Sequence, residues 1–351
     1  MSELKTIWGE ALDPNAVLQE YPRPQMVRAS YINLNGCWDY AITEGRMKPW
    51  EWDGRILVPF SPEAPLSGVN RSLRPWQTLW YRRTLDVSPR VGFRLLLHFG
   101  AVDQMAAVYV NDVLAAEHTG GYTAFSVDIT QYLKDTDNVL TVAVLDGTDT
   151  NELSRGKQRT KRGGIWYTPQ SGIWQTVWME WVPDAYISAL HITPDVQRGC
   201  ARITVCSEQD VPCCIGFQGR SIDGMTNHEL TVAVDEPELW SPESPKLYSF
   251  YAVLGSDRVE SYFALRSVAA GADADGVPCL MLNGKPYYHS GVLDQGYWPD
   301  GLYTAPSDEA LIYDISLMKS MGFNMLRKHI KIEPLRWYYH CDRLGMLVWQ
   351  D

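Results

Sequence analysis

Six polar residues stand where three strand-like runs of the C-terminal segment stop. Asp294 and Gln295 follow the run 287–293, Arg327 and His329 sit at the end of 323–327, and Gln350 and Asp351 follow 346–349. In barrels built from such runs, functional side chains gather at strand C-termini. Ionised Asp294 and Asp351 can accept hydrogen bonds from hydroxyl groups of a ligand, and His329 can accept or donate. Each also has a purely structural reading. The two aspartates can cap the loops that follow them, Arg327 can form a rim ion pair, and His329 can be a hydrogen-bonded rim residue. The loop DQGYWPDGLY adds Tyr297 and Trp298 as candidate pocket walls, although WPDG alone also makes a local turn.

The elements that must hold these residues are readable from their punctuation. Ser307 is placed to cap a helix, with Asp308 and Glu309 in the first turn, where the helix dipole favours acids. Leu311, Ile315 and Met318 recur at helical spacing and Gly322 stops the helix. Pro334 suits the first turn of a second helix, which Gly345 ends. The order β-α-β-α-β predicts parallel strands. A closed (β/α)8 barrel takes roughly 200 residues or more, so residues 272–351 are expected to be the opening part of a TIM barrel, interrupted after its third strand. The alternative is a small open α/β unit.

Upstream the grammar is all-β. Short alternating runs at 79–87, 93–99, 105–110, 139–146 and 173–181, with a tight turn at Asn111-Asp112, predict a jelly-roll sandwich over residues 1–183. About seven strand signals over 184–271 predict a small immunoglobulin-like β-sandwich. The expected division is therefore 1–183, 184–271 and 272–351.

Composition excludes several classes. With 31 basic and 42 acidic residues the formal charge is −11, which argues against a nucleic-acid partner. No apolar run approaches the ~20 residues that span a bilayer, and the N-terminus lacks the basic and apolar regions of a secretory signal. Seven cysteines without CxxC spacing fit reduced thiols in a cytoplasmic protein and no zinc site. No cofactor or metal is expected. The segment RGKQRTKRGGIWYTPQSGIW is basic and glycine-containing, but its glycines lack phosphate-loop spacing.

Three sets of strings carry a resemblance. They are LNGCWDY, LWYRRTLDV, GFRLLLHFGAVDQMAAVYVND and SGIWQTVWME; then LWSPESPKLYSF and VESYFALRSV; then LMLNGKPYYHSGVLDQG, DISLMKSMGFNMLRKHI and WYYHCDRLGMLVWQD. In this order the chain resembles glycoside hydrolase family 2, which includes β-galactosidases, β-glucuronidases and β-mannosidases. The resemblance implies a retaining hydrolase of β-glycosides in carbohydrate catabolism, acting through two glutamates at the fourth and seventh barrel strands. Those strands lie beyond Asp351, so no catalytic residue is expected here and the chain alone is expected to be inactive. The only glutamates after residue 272 are Glu309, in a helix's first turn, and Glu333, with nothing to pair with it.

What the resemblance places in this chain is the supporting side of the pocket. It implies that Arg327 and His329 line the pocket, with Arg327 orienting the nucleophile, and Asp294, Asp351 and Trp298, by their place at strand ends and in the loop, are expected to bind substrate beside them. In RKHIK the Arg–His interval is one residue shorter than in familiar β-galactosidases. The loop before SGIW is expected to reach the barrel mouth, offering Trp166 and Tyr167 where β-galactosidases have an acid. The expected partner is a carbohydrate, and a homo-oligomer is compatible. A non-catalytic carbohydrate-binding module protein is the alternative function.

Overall fold

The computed structural model describes residues 4–351. Alternation along the strands builds the first unit: within Met105–Val110 every second side chain is buried. A four-stranded antiparallel sheet runs in the order Tyr31–Asn33, Val177–Pro183, Phe93–Phe99, Phe125–Asp128. A six-stranded one runs Gly54–Val58, Gly36–Glu44, Gln77–Leu85, Asn138–Leu145, Met105–Val110, Val113–Thr119. Their inner faces enclose one core, where Trp38, Leu79, Tyr81 and Val142 meet Leu95, Leu97, Phe99 and Val177. Each such side chain contributes about 1.5–3 kcal/mol on burial. The turn between the last two strands uses Asn111 and Asp112 at φ 52° and 67°, the doubly left-handed geometry that suits right-twisted strands.

One expected strand, 173–181, is broken in two. Gly172–Ile173 pairs with Val102–Asp103, whereas Val177–Pro183 joins the four-stranded sheet. Between them Trp174 turns away from the sandwich core, donates from its indole nitrogen to the Gly121 carbonyl at 2.8 Å, and packs on Tyr303 of the C-terminal unit. The break therefore docks one unit on another.

The second unit is also a sandwich. Three strands (Ala189–Asp195, Cys200–Cys206, Glu229–Ala233) face four (Arg220–Met225, Pro212–Phe217, Tyr248–Leu254, Asp257–Phe263) across a core containing Ile203, Val205, Ile215, Ala252 and Val259. Arg28 is buried between the two sandwiches. It reaches Glu180 of the first at 3.0 Å and Asp257 of the second at 2.9 Å. Burial alone would push the Glu180 carboxyl up, but His98, Arg23 and Arg28 outweigh it and bring it down to about 2.

Past an antiparallel hairpin (Val268–Ala272 with Pro278–Leu282), the strands Gly291–Asp294, Met325–Lys328 and Leu347–Gln350 pair in parallel. The first of these starts later than the run at 287 suggests, because the Tyr287 amide pairs back to the Leu280 carbonyl at 2.9 Å. The helices are Asp308–Ser320, capped by the Ser307 hydroxyl on the Ala310 amide, and Leu335–Leu344, ended by left-handed Gly345. Asp308 does more than favour the helix dipole. It accepts from Arg336 at 2.7 Å and His340 at 2.8 Å, which locks the two helices together and holds its carboxyl well below the usual range despite burial. Leu326 and the helix residues Ala310, Ile315, Trp337 and Cys341 form the core of this unit. The opposite face carries Leu293, Arg327 and Trp349 in register and is open. The three strands form an open sheet, and no closed barrel is present among the described residues.

Residues 6–28, grouped with the first sandwich in sequence, lie across the other two units. Thr6 donates twice to Asp300, at 2.7 and 2.8 Å, Trp8 packs edge-on against Trp298, and Met26 enters the second core.

Candidate functional site

The ends of the three parallel strands bring Arg327, His329 and Asp351 together. The Asp351 carboxylate accepts from Arg327 Nε at 2.8 Å, His329 Nδ1 at 3.0 Å and the Ile330 amide at 3.0 Å. The Ile330 N–H first, then Arg327 and His329, hold this carboxyl below its ordinary range. With Nδ1 donating to Asp351, the network assigns Nε2 of His329 as the ring's acceptor. The His329 amide itself donates to the Asp294 carbonyl at 2.9 Å, tying the first strand end to the second.

Asp294 Oδ1 accepts from the Gly296 amide at 2.8 Å and pairs with Lys328 at 2.9 Å, so the loop-capping reading of this residue is the one found. Glu333 has partners that sequence reasoning missed. Lys328 reaches Glu333 Oε1 at 2.7 Å and Lys331 reaches it at 2.9 Å, and all three side chains are buried. Lys331 also donates to the carbonyls of Gly296 and Tyr303, each at 2.7 Å, which fastens the loop after the first strand. Burial pulls the Lys328 ammonium down, but Glu333 and Asp294 outweigh it and hold it above the usual lysine range. For Lys331 burial wins, and the ammonium is pushed down to about 8. The available signal was strand alternation: with Arg327 on the open face, Lys328 had to point at the helices, where its ammonium lies 4.2 Å from the Trp337 ring centroid.

The first sandwich closes one side of this cluster. Gly156, at φ 57°, lies so close to the Ile330 carbonyl that an added Cβ would approach it to 2.9 Å. Tyr167 donates to Gln295 and its ring centroid is 4.8 Å from that of Tyr297. A cavity of ≈ 420 Å³ between the units is lined by Tyr122, Arg155, Gly156, Lys331 and Asp351, among others. Trp166, next to Tyr167 in the chain, has the Arg159 guanidinium 3.7 Å from its ring centroid, so one ring face is covered. Trp298 departs from the expected grouping. It is 7% exposed and sits in the core of the C-terminal unit against Trp8, which removes it as a stacking wall. Among the described residues no group of three or more His, Cys, Asp or Glu is arranged to hold a metal ion, and no helix is long and apolar enough to cross a membrane.

Residues 69–183 match the sugar binding domain of glycosyl hydrolases family 2, and residues 215–266 match a second domain described as glycosyl hydrolases family 2. Both matches are to glycosyl hydrolases family 2, and they follow one another along the chain. The chain is 28% identical over 292 residues to a putative beta-glucuronidase of Formosa agariphila, covering 78% of the chain and 34% of that protein. A beta-galactosidase of Thermoanaerobacter pseudethanolicus is 25% identical over 305 residues, covering 78% and 39%. The chain thus spans little more than a third of the length of these relatives. Among solved structures it resembles a Faecalibacterium prausnitzii beta-glucuronidase (TM-score 0.74, 23% identity, covering 94% of this chain and 60% of that one). It also resembles Bacteroides uniformis beta-glucuronidase 2 covalently bound to cyclophellitol-6-carboxylate aziridine (TM-score 0.66, 25% identity, covering 91% and 42%).

Proposed function

We propose that these 351 residues serve in a retaining β-glycoside hydrolase. In this reading a jelly roll and an immunoglobulin-like sandwich support the opening strands of a TIM barrel, and the chain supplies one wall of the sugar pocket. The observation that carries it is the Arg327–His329–Asp351 cluster at the strand ends, covered by a loop of the first sandwich. Here His329 Nε2 and the carboxylate of Asp351 receive sugar hydroxyls, Asp294 positions its own loop, and Trp166 offers its uncovered face to a ring.

Retention requires a nucleophile and an acid/base about 5 Å apart. Asp294, Asp351 and Glu333 are each bonded to cations, so all three are assigned to binding and support. The greater length of the relatives supports placing the reactive pair on polypeptide after Asp351. The names of those relatives support a β-glucuronide or β-galactoside substrate, and the seven unpaired thiols suit a reducing cytoplasm. The test is a panel of nitrophenyl β-glycosides offered to the 351-residue chain and to the product of the whole reading frame. Turnover is expected for the longer protein only. Turnover by the short chain, or a stop codon after Asp351, would overturn the assignment and favour a carbohydrate-binding protein without catalysis.

A further inference from the structure

A second cavity, of ≈ 1000 Å³, opens on the first sandwich between the segment around residue 74 and the loops around 149 and 162. The loop that borders it is the one that touches the strand ends from its other side. Thr168 accepts from Arg162 at 2.9 Å on the cavity side, and its carbonyl accepts from Tyr297 at 3.5 Å. The cavity is therefore a neighbour of the strand-end cluster but shares none of its charged residues.

Three side chains in its lining point to one kind of ligand. Trp76 is 60% exposed, although it follows directly on two other lining residues, Arg74 and Pro75. The Arg74 guanidinium lies 5.9 Å from the Trp76 ring centroid. Arg162 is the third. Neither Arg74 nor Arg162 forms a salt bridge among the described residues, whereas Arg55, Arg82 and Arg94 of the first sandwich each have a carboxylate against them.

The acidic groups facing the cavity are Asp149 and Glu63. Asp149 accepts from the Thr160 hydroxyl at 2.6 Å and amide at 3.2 Å, so its charge is directed along the wall. Glu63 forms the floor and accepts from the Leu73 and Ser171 amides, both at 3.0 Å. Burial pushes the Glu63 carboxyl up to about 8, so the floor is largely neutral at neutral pH. Two guanidinium groups against one turned carboxylate leave the lining positive.

An open indole stacks on the C–H face of a pyranose, and a guanidinium fork matches a carboxylate through two parallel hydrogen bonds. A free phosphate would use the arginines and leave Trp76 without a role. Nucleic acid is disfavoured by the −11 charge of the chain. We infer that this cavity is a saccharide subsite for an acidic sugar, with Trp76 as the stacking surface and Arg74 and Arg162 as the carboxylate receptors. The inference leans on the glycosidase reading only for its purpose, which is to hold part of a uronate-bearing glycan beside the reacting end.

The experiment is calorimetric titration of the 351-residue chain at low salt with trigalacturonate, with cellotriose and inorganic sulfate as comparisons. Saturable binding of trigalacturonate is expected, with weaker binding of both comparisons. Trp76→Ala and the double variant Arg74→Gln/Arg162→Gln each weaken it about tenfold or more, and Glu229→Gln, on the second sandwich, leaves it within about twofold. All three cavity positions are exposed, so these variants keep the fold. Absence of binding, equal binding of cellotriose, or unchanged affinity in Trp76→Ala overturns the subsite. If Asp351→Asn abolishes binding while Trp76→Ala does not, the ligand sits at the strand ends, which overturns this subsite and leaves the glycosidase reading intact.

Discussion

Glu333 bridges two buried lysines with one carboxylate, while Asp294 pairs with Lys328 alone, and at the scale of single residues this arrangement dictates what its loss would do. Glu333→Gln leaves Lys328 and Lys331 out of water without their shared counter-charge, a change that costs about 3–5 kcal/mol when a buried pair is broken. Urea unfolding of the variant should show that loss. Two buried groups also shape the pH dependence of folding. Glu63 has its carboxyl raised from 4.5 to about 8, so the native state holds a proton that the unfolded chain has lost, and stability falls as pH rises from about 4.5 to 8. Lys331 has its ammonium lowered from 10.5 to about 8, so the unfolded chain holds the extra proton, and stability rises from about 8 to 10.5. The expected profile has a minimum near pH 8, and Glu63→Gln should flatten its acid limb. A steady fall across that range would contradict the Lys331 assignment, and a steady rise the Glu63 one. In the string RKHIKIEP, alternation turns Lys328 away from Arg327, but the partners of the two lysines are not legible. Arg327 and His329 are recognisable as a strand-end pair, but whether a neighbouring lysine is buried depends on Asp294 and Tyr303, which come from an earlier loop.

At the scale of elements, the punctuation of the chain was the readable part. Ser307, Gly322 and Gly345 end or begin helices where their chemistry says they should, and the Asn111-Asp112 turn has the backbone its residue types suit. What could not be read was a strand that stops because its next residue has business elsewhere. The pattern through 173–181 is apolar enough for one strand, yet Trp174 leaves it to meet Tyr303, over a hundred residues away in sequence. Trp298 escapes a reading of its own loop for the same reason: its ring packs in a core that Trp8, far away in sequence, helps to form. Gly156 offers a test at this scale. Its positive φ and the 2.9 Å approach to the Ile330 carbonyl leave no room for a methyl group. Gly156→Ala should lift the loop from the strand ends, lower the melting temperature by several degrees and speed exchange of the Ile330 amide, whose acceptor is Asp351. Unchanged exchange at Ile330 would show that the loop does not hold the cluster.

For the whole molecule, the order of units along the sequence was predictable from the change of period from two to 3.6, whereas their docking was not. Arg28 illustrates why. It looks like a surface residue in a loop, and only the folded pair of sandwiches gives it Glu180 on one side and Asp257 on the other. Arg28→Met leaves buried Asp257 without its cation and Glu180 with Arg23 and His98 alone, and a loss of about 3–5 kcal/mol is expected, with faster proteolysis near residue 184 as the sandwiches separate. Thr6 and Trp8 extend the same logic across the full length. Their partners Asp300, Trp298 and Tyr313 are made some 294 residues later. At ~5–20 residues per second, a ribosome needs roughly 15–60 s to deliver them. During that interval the segment around Thr6 and Trp8 has no docking place, while both sandwiches that follow it can already be complete. This early-made segment is therefore among the last to settle, and a chaperone that guards this protein during translation would be expected to find its handle there.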